Sequence, residues 1–324
     1  MSESRDPDFG DVEAAAIRIA AHVRQTPVLR SERLAALAGA TLDFKCENLQ
    51  VAGAFKSRGA CNAVFSLDAT RAAHGVATHS SGNHAAALAR AARLRGVPSY
   101  IVMPKGAPRV KRLAVEGFGG VIEECEATLA AREASAAAIV ARTGATLVHP
   151  YDDPAVIAGQ GTVVLELAGQ IAAPDLLLVP VGGGGLLGGS AIAARRRWPG
   201  TRVVGVEPAG ADDAWRSFTT GILQPQLAPA TIADGLRGAM SERTLRIARA
   251  NVDEIVTVGE SAIVEAMRLL FDLLKLVVEP SGAVPLAALL EGRVRARHVA
   301  VVLSGGNTDL DCLPWSARSD GSSR

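Results

Sequence analysis

The most informative segment of the chain is Phe44-Lys45-Cys46-Glu47-Asn48-Leu49-Gln50-Val51-Ala52-Gly53-Ala54-Phe55-Lys56-Ser57-Arg58-Gly59-Ala60. It predicts a short strand, a polar turn that contains a glycine, and then a helix that Ser57 can cap. Lys56 would lie near the N-terminus of that helix, where the helix dipole and burial both disfavour a cation. Both effects lower the pKa of a lysine, and Schiff-base chemistry requires a neutral amine. On this segment alone, an ordinary surface lysine is an equally good interpretation.

Composition narrows the class of protein before any motif is considered. The chain has 324 residues, of which 48% are hydrophobic, and this is enough for a large core in one or two domains. The formal net charge is +1 and no basic block occurs, so we expect no nucleic-acid partner. No apolar run reaches membrane-spanning length, and residues 1–10 lack the apolar core of a signal peptide. The four cysteines are scattered without CxxC spacing, which indicates a reduced, cytoplasmic compartment.

Beyond the first segment, predicted strands and helices alternate along the chain. The predicted strands are Gly75–Ser80, Pro98–Met103, Gly120–Glu124, Ala145–His149, Leu176–Val181, Thr201–Glu207, Glu254–Val258 and His298–Ser304. Between them lie segments with helical apolar spacing, such as Asn83–Leu94, Ala158–Ile171 and Leu186–Arg197. Apolar strands that alternate with helices indicate an α/β fold with mostly parallel sheets covered on both faces. We predict two doubly wound domains with the active-site cleft between them, one formed by residues 1–72 and 147–324 and the other by residues 73–146.

Three further motifs lie where predicted strands end. His79-Ser80-Ser81-Gly82-Asn83-His84 marks a strand-to-helix turn, whose backbone N–H groups, hydroxyls and amide suit a carboxylate or oxyanion. A plain serine N-cap has the same geometry, so both interpretations can hold together. Val301-Val302-Leu303-Ser304-Gly305-Gly306-Asn307 ends the last strand and would point the Ser304 hydroxyl into a ligand crevice. For Ser304 alone, a hydroxyl that satisfies a nearby backbone group is the simpler interpretation.

The third motif is glycine-rich and has two interpretations. Val181-Gly182-Gly183-Gly184-Gly185-Leu186-Leu187-Gly188-Gly189 follows an apolar strand and opens a helix. Consecutive glycines are expected where the backbone must approach a phosphate closely. The motif also satisfies GxGxxG, and Glu207 ends the next strand about twenty residues later, as a ribose-binding acid would. An NAD site is therefore a genuine alternative, although it assigns no role to Lys56 or to the turn at residues 80–84.

Taken together, four motifs carry a family resemblance: Gly53–Gly59, Ser80–His84, Gly182–Gly185 and Ser304–Asn307. In this order they resemble a fold-type II pyridoxal-phosphate enzyme, with a fold like that of the tryptophan synthase β-subunit. The most similar branch holds serine/threonine dehydratases, serine racemase and 3-hydroxyaspartate dehydratases. The resemblance extends from about Thr26 to Asn307, and we expect the short form, without the regulatory domain of biosynthetic threonine dehydratases.

The resemblance implies a role for each motif in binding pyridoxal 5'-phosphate. Lys56 matches the lysine that binds the cofactor covalently, and Asn83 matches the amide that bonds its phenolic oxygen. Ser304 matches the hydroxyl that faces the pyridine nitrogen. The phosphate-binding loop corresponds to Gly182, Gly183, Gly184 and Gly185. The domain made of residues 1–72 and 147–324 would then bind the cofactor, and residues 73–146 would carry the substrate loop.

Other matches concern the substrate and a metal ion. The substrate carboxylate loop corresponds to Ser80, Ser81, Asn83 and His84, and Ser81 matches a serine that faces the substrate α-carbon from the side opposite the lysine. Arg132 resembles in position an arginine near the substrate of serine racemase, although a solvated helix arginine is at least as good an interpretation. The divalent-cation loop of serine racemase corresponds to Glu207, Ala211 and Asp213, whose oxygens suit magnesium, calcium or manganese. A solvated acidic turn is the alternative, and the metal interpretation removes the ribose role of Glu207.

The resemblance also implies a function. We expect an ammonia-lyase that converts L-serine, L-threonine or 3-hydroxyaspartate into a 2-oxo acid and ammonia. An amino-acid racemase with side dehydratase activity is the alternative, because Ser81 permits it and dehydratases of this branch carry the same SSGNH motif. An NAD-linked oxidoreductase is a remote third hypothesis. The expected partners are a small amino-acid substrate and a second copy of the chain in a homodimer, with no nucleic acid and no membrane.

Overall fold

Strands and helices alternate along most of the computed structural model, which describes residues 5–80, 82–107 and 109–315. The strands are β1 (Val28–Leu29), β2 (Thr41–Cys46), β3 (Val76–Thr78), β4 (Ser99–Pro104), β5 (Val121–Cys125), β6 (Thr146–Leu147), β7 (Leu176–Pro180), β8 (Arg202–Pro208), β9 (Glu254–Val258) and β10 (His298–Leu303). The helices are α1 (Phe9–Ile19), α2 (Glu32–Ala38), α3 (Lys56–Ser66), α4 (Ala69–Ala73), α5 (Asn83–Arg95), α6 (Arg109–Gly117), α7 (Leu129–Thr143), α8 (Pro154–Leu167), α9 (Gly185–Arg197), α10 (Asp213–Thr220), α11 (Glu242–Asn251), α12 (Glu260–Leu274) and α13 (Pro280–Leu290).

The strands form two sheets, one of six strands and one of four. The larger sheet has the order β1-β2-β10-β7-β8-β9, and only its edge strand β1 is antiparallel to its neighbour. The smaller sheet has the order β5-β4-β3-β6 and is parallel throughout. The predicted α/β class with mostly parallel sheets is confirmed. The division into two domains stays a prediction, and its second boundary falls within β6.

Helix α8 packs closely against α3 and α9 through glycine contacts. A Cβ added at Gly159 of α8 would lie 2.6 Å from the Cα of Gly59 in α3. On its other flank, a Cβ added at Gly189 of α9 would lie 2.2 Å from the carbonyl oxygen of Ile157. Larger side chains would push the three backbones apart, so these glycines fix where α3 and α9 begin relative to each other.

Helix α8 begins earlier than the sequence predicts. The apolar spacing predicts a start at Ala158, but the helix begins at Pro154, because the Asp153 carboxylate accepts the N–H groups of Ala155 and Val156. Proline at the first helical position has no N–H to satisfy, which suits this start. None of the helices in the described ranges has the length and apolar character that crossing a bilayer requires.

Candidate active site

Lys56 is the first residue of α3, and its side chain is half-buried. Its Nζ donates a hydrogen bond to the Pro150 carbonyl oxygen at 2.7 Å and lies 5.1 Å from the centroid of the Phe55 ring. Burial lowers the pKa of Lys56 to about 8, and the charge of Glu279 offsets part of that shift. A pKa this low leaves about a tenth of the amine neutral at pH 7, in the form that reacts with a carbonyl group.

The start of α3 differs from the prediction for Ser57. The helix begins at Lys56 after Phe55, and no side chain caps it. Ser57 lies inside the first turn, and its Oγ donates instead to the Val51 carbonyl oxygen of the preceding loop. The prediction that Ser57 caps this helix is therefore wrong. The uncapped N-terminus leaves the positive end of the helix dipole at Lys56, where it disfavours the protonated amine.

A buried ionic cluster lies next to Lys56 on the same helix. Arg58 is 1% exposed, and its guanidinium donates to both carboxylate oxygens of Glu47 at 2.7 and 2.8 Å. It also donates to Glu166 of α8 at 3.0 and 3.1 Å, and Glu166 in turn accepts from the buried Lys45. The ion pairs hold the pKa of Glu47 below its usual range although burial alone would raise it. The cluster joins β2, α3 and α8 immediately behind the reactive lysine.

The glycine loop joins β7 to the N-terminus of α9. Gly184 adopts a left-handed conformation with φ +85° and precedes the helix without any side-chain cap. The first N–H groups of α9 therefore remain available to an anion. Side chains are excluded from the loop, because a Cβ added at Gly183 would lie 2.4 Å from the Tyr151 ring. A Cβ added at Gly182 would likewise lie 2.9 Å from the Cα of Leu236.

The end of β10 lies directly against the loop that carries Lys56. The Phe55 N–H donates to the Ser304 carbonyl oxygen at 3.0 Å, and the Gly306 N–H donates to the Gly53 carbonyl oxygen at 2.9 Å. Ser304 itself is 2% exposed. The structure thus brings the lysine motif and the serine motif together, although about 250 residues separate them in the sequence.

The turn after β3 brings the predicted substrate loop to the same region. The Ser80 hydroxyl accepts the Gly82 N–H at 3.4 Å, and Asn83 begins α5 with no side-chain cap before it. The Asn83 amide donates to the Glu279 carboxylate at 2.8 Å, which ties α5 to the N-terminus of α13. Ser81 lies outside the described residues, so its position relative to Lys56 is not part of this geometry.

Histidines that are kept neutral surround Lys56. His84 is 1% exposed, and burial together with the Lys56 charge holds its pKa well below the usual range. Burial and the neighbouring His79 lower the pKa of His149 to about 4, and the centroids of these two rings are 5.3 Å apart. The Nδ1 atom of His149 accepts the Asp152 N–H at 2.9 Å, so its Nε2 carries the proton. These imidazoles provide hydrogen-bonding groups without adding positive charge.

A sequence profile described as "pyridoxal-phosphate dependent enzyme" matches residues 19–305. The chain belongs to this family. It is 48% identical over 312 residues to the beta-hydroxyaspartate dehydratase of Paracoccus denitrificans, covering 96% of this chain and 99% of that protein. It is also 48% identical over 317 residues to a serine racemase of Arabidopsis thaliana, covering 96% of each chain. A solved T.th. threonine deaminase superposes with a TM-score of 0.89 at 45% identity, covering 94% of this chain and 99% of that one.

These comparisons place the protein among pyridoxal-phosphate enzymes of the dehydratase and racemase branch. They support pyridoxal phosphate over the NAD alternative. The chemistry of the described residues fits the cofactor as well, since an amine with a lowered pKa suits its aldehyde and the uncapped start of α9 suits its phosphate. The individual roles given above to Lys56, Asn83, Ser304 and the four glycines stay predictions.

The predicted metal ligands do lie together, at the end of β8. Glu207 and Asp213 are both fully buried, and Ala211 lies between them in a short 3-10 turn. Glu207 accepts the N–H groups of Ala214 and Trp215 at 3.1 and 2.9 Å. Burial, with the Asp213 charge adding to it, raises the pKa of Glu207 to about 9, and burial also raises the pKa of Asp213. A divalent cation would favour the ionised form of both carboxylates, so the donor set suits a hard ion.

Among the described residues, two side-chain carboxylates, those of Glu207 and Asp213, are the predicted ligands of that ion. Within the described ranges no three His, Cys, Asp or Glu side chains lie close enough to hold a metal together. The remaining ligands would have to be the Ala211 carbonyl oxygen and water, a mixture that Mg²⁺ and Ca²⁺ accept and Zn²⁺ rarely does. The metal interpretation stays a prediction that the donor chemistry supports.

Arg132 lies on α7, close to the histidines. Its charge acts on His79, whose pKa burial already lowers. The Arg132 Nε is buried and has no hydrogen-bond partner within the described part of the chain. A guanidinium with an unsatisfied donor beside the histidines suits an anionic group, but contact with substrate stays a prediction.

Four residues shape the site although the sequence predicts no role for them. Pro150 accepts the Lys56 hydrogen bond, Tyr151 packs against the glycine loop, and Glu279 and Asn307 contact Asn83. Asn307 belongs to the serine motif, which predicts no function for it. The pair Glu279-Pro280 is a typical helix start and is the only local signal near Glu279.

Proposed function

We propose that this protein is an ammonia-lyase that converts a 3-hydroxy amino acid into a 2-oxo acid and ammonia. The substrates to consider are L-serine, L-threonine and 3-hydroxyaspartate. The observation that carries the proposal is the Lys56 amine, whose pKa burial lowers, on a helix that begins beside the end of β10 and within reach of the Glu279 charge. A base at the α-carbon must be neutral to accept a proton, and the lowered pKa of Lys56 provides a neutral fraction near the working pH.

Different groups of the chain would bind the substrate and transfer the proton. Backbone N–H groups at the start of α5, with the Ser80 hydroxyl, would bind the substrate carboxylate. Lys56 Nζ would take the α-proton, and the bound pyridoxal phosphate supplies the electron sink for the charge left at the α-carbon. The β-hydroxyl would leave as water with the proton that Lys56 took from the α-carbon, and the freed Lys56 amine would displace the enamine, which hydrolyses to the 2-oxo acid and ammonia. The sequence of steps is redox-neutral, so it requires no oxidant.

Ser304 would support elimination through its lack of charge. A neutral hydroxyl opposite the pyridine nitrogen stabilises a protonated ring less than a carboxylate would. We therefore expect loss of the β-hydroxyl to be favoured over amino-group transfer. Its burial at 2% exposure keeps water from competing for the same position.

The direct test is a panel of 3-hydroxy amino acids offered to the purified holoenzyme. L-serine, L-threonine and the stereoisomers of 3-hydroxyaspartate are incubated separately, and ammonia and 2-oxo acid are measured together. The proposal expects both products in equal amounts from at least one substrate. Absence of both products from every substrate, in a protein with the cofactor's visible absorption, would refute it.

The second candidate function is amino-acid racemisation, favoured by the similarity to the serine racemase of Arabidopsis thaliana. Racemisation requires a proton donor on the face of the substrate opposite Lys56, and the resemblance assigns this role to Ser81. Ser81→Ala should then reduce racemisation by about a hundredfold or more while elimination from the L-substrate falls much less. Chiral chromatography beside the ammonia assay separates the two rates. Equal loss of both would mean that Ser81 only positions the carboxylate.

We further propose that Glu207, Ala211 and Asp213 hold Mg²⁺, Ca²⁺ or Mn²⁺, which would order the loop without touching the substrate. The support is the pair of buried carboxylates described above. The homodimer implied by the family resemblance is likewise a proposal, which light scattering of the purified protein can test.

A further inference from the structure

The Asn83 side chain has a partner on each side, and these partners fix which way its amide faces. Asn307 donates from Nδ2 to the Ala52 carbonyl oxygen at 2.8 Å and to Asn83 Oδ1 at 2.9 Å. A carbonyl oxygen can only accept, so the Asn307 nitrogen must face it, and both hydrogens of that nitrogen are used. The oxygen of Asn83 therefore faces Asn307, and its nitrogen faces the other way.

On the other side, Glu279 receives one hydrogen of the Asn83 nitrogen. Asn83 Nδ2 donates to Glu279 Oε1 at 2.8 Å, and Glu279 is only 5% exposed. The amide nitrogen has two hydrogens, so one remains for another acceptor. Because Asn307 fixes the Asn83 oxygen on its own side, the Asn83 nitrogen must face Glu279, and the two partners together permit only one orientation of the amide.

The Glu279 carboxylate is itself held in place by the end of β10. The Glu279 N–H donates to the Gly305 carbonyl oxygen at 3.0 Å. A Cβ added at Gly305 would lie 2.3 Å from Glu279 Oε1, so only glycine leaves room for this carboxylate. The acid is therefore built into the junction of α13, α5 and β10.

We propose that Glu279 is a positioning residue that, with Asn307, presents the remaining N–H of Asn83 to the phenolic oxygen of the cofactor. The proposal rests on the contact with the cofactor that the family resemblance predicts for Asn83. Glu279 acts through Asn83, and it makes the orientation of the amide independent of whether cofactor is present. A preset donor binds its acceptor without a further loss of side-chain freedom.

The charge of Glu279 also acts on Lys56. Asp234 disfavours the ionised Glu279 carboxylate, Lys111 of α6 favours it, and the carboxylate in turn acts on Lys56 of α3. Burial is the dominant effect and raises the pKa of Glu279 to about 8. The carboxylate raises the pKa of Lys56, so removal of its charge should lower the pKa of that amine further.

The main test measures cofactor binding to apoenzyme, by the visible absorption that develops when pyridoxal phosphate is added. Glu279→Gln should weaken binding roughly ten- to a hundredfold, the range for a hydrogen bond to a charged group. In an Asn83→Ala background the same substitution should have less than about a threefold effect, because the group through which it acts is gone. Glu291→Gln, at the other end of α13, also alters a carboxylate that accepts a backbone N–H and should leave binding unchanged.

Each outcome of this cycle has a definite meaning. Additive effects of Glu279→Gln and Asn83→Ala would overturn the proposal, because a merely structural role of Glu279 does not depend on Asn83. Normal cofactor binding by Asn83→Ala would also overturn the proposal, because Asn83 would then make no contact that matters for the cofactor. Neither result depends on any substrate, so failure of the lyase proposal would be recognised separately.

Two further measurements keep the proposal testable if Glu279→Gln folds poorly. Asn307 is exposed, so Asn307→Ala disturbs the core little, and it should weaken cofactor binding several-fold only when Asn83 is present. The rate of cofactor capture by apoenzyme should rise with pH as Lys56 becomes neutral. Its midpoint should move to lower pH in Glu279→Gln and stay in place in Glu291→Gln. An unchanged midpoint in Glu279→Gln would contradict the predicted effect of its charge on Lys56.

Discussion

Replacement of Gly183 by alanine should damage both stability and cofactor binding. The new Cβ would lie 2.4 Å from two atoms of the Tyr151 ring, whereas ordinary contacts of a Cβ begin at 3.4 Å. The ring or the loop must therefore move by about 1 Å. Tyr151 cannot turn away freely, because its ring packs edge-on against His149 with centroids 4.6 Å apart.

The expected magnitude follows from this forced displacement. Overpacking of a tightly packed site costs about 1–3 kcal/mol, which lowers the folding equilibrium constant roughly five- to 150-fold. If the loop moves instead of the ring, the N–H groups at the start of α9 shift by about 1 Å relative to a bound phosphate. A misplacement of that size can reduce catalysis by about a hundredfold.

The assay combines urea denaturation of apoenzyme with titration of pyridoxal phosphate followed by visible absorption. Gly200→Ala is the matched control, since Gly200 follows the other end of α9 and an added Cβ meets nothing within 4 Å. The double variant Gly183→Ala with Tyr151→Ala removes the obstructing ring and should recover part of the loss in cofactor affinity. Gly183→Ala with wild-type stability and affinity, or an equal loss in Gly200→Ala, would refute the reasoning.

Three other predictions concern the lysine, the ionic cluster and the metal loop. Lys56→Ala should abolish turnover and the visible absorption of the lysine-bound cofactor. Near-normal turnover would refute the role of Lys56 as the cofactor-binding lysine. Arg58→Met should destabilise the protein by about 3–5 kcal/mol in urea, because it leaves buried carboxylates unpaired. Arg202→Met, which removes an exposed pair, should change stability by less than about 1 kcal/mol, and equal losses would contradict the argument. Chelator should lower the melting temperature and activity, Mg²⁺ or Ca²⁺ should restore both, and Asp213→Ala should mimic the chelator; a wild type that EDTA leaves unchanged would favour the acidic turn.

The fold could be predicted because the local apolar pattern agrees with the observed strands and helices along most of the chain. Apolar strands such as β7, whose five residues are all buried, leave no other interpretation for the alternating pattern. The motifs could be placed because parallel strands present their carboxyl ends to a common crevice. Residues 80–84, 182–185 and 304–307 each follow such an end, at β3, β7 and β10 respectively.

Helix α13 shows where local pattern fails. It begins with Pro280, contains Pro285, and buries every residue from Ser281 to Leu289, so no polar stripe reveals a helical period. The sequence predicts no helix there. Amphipathic spacing arises where one face of a helix meets water, so a helix buried on all sides lacks it, and the Glu279-Pro280 start alone does not reveal the helix.

The contacts around Asn83 could not be predicted for a different reason. Its partners Glu279 and Asn307 lie 196 and 224 residues away along the chain. Nothing near Asn83 in the sequence encodes these hydrogen bonds, which exist only because β10 ends beside α5. The orientation of a single amide is thus a property of the assembled fold.

The position of β10 has a consequence for how the protein is made. It is the last strand in the sequence, yet it lies inside the larger sheet between β2 and β7. At about 5–20 residues per second, the roughly 250 residues from β2 to β10 take on the order of 10–50 seconds to synthesise. β2 presents an open strand edge to other chains during that interval, and β7 does so for the roughly 120 residues between its own synthesis and that of β10. The nascent protein therefore needs protection from aggregation until its final segment leaves the ribosome, and any shortened chain that lacks β10 would retain both edges.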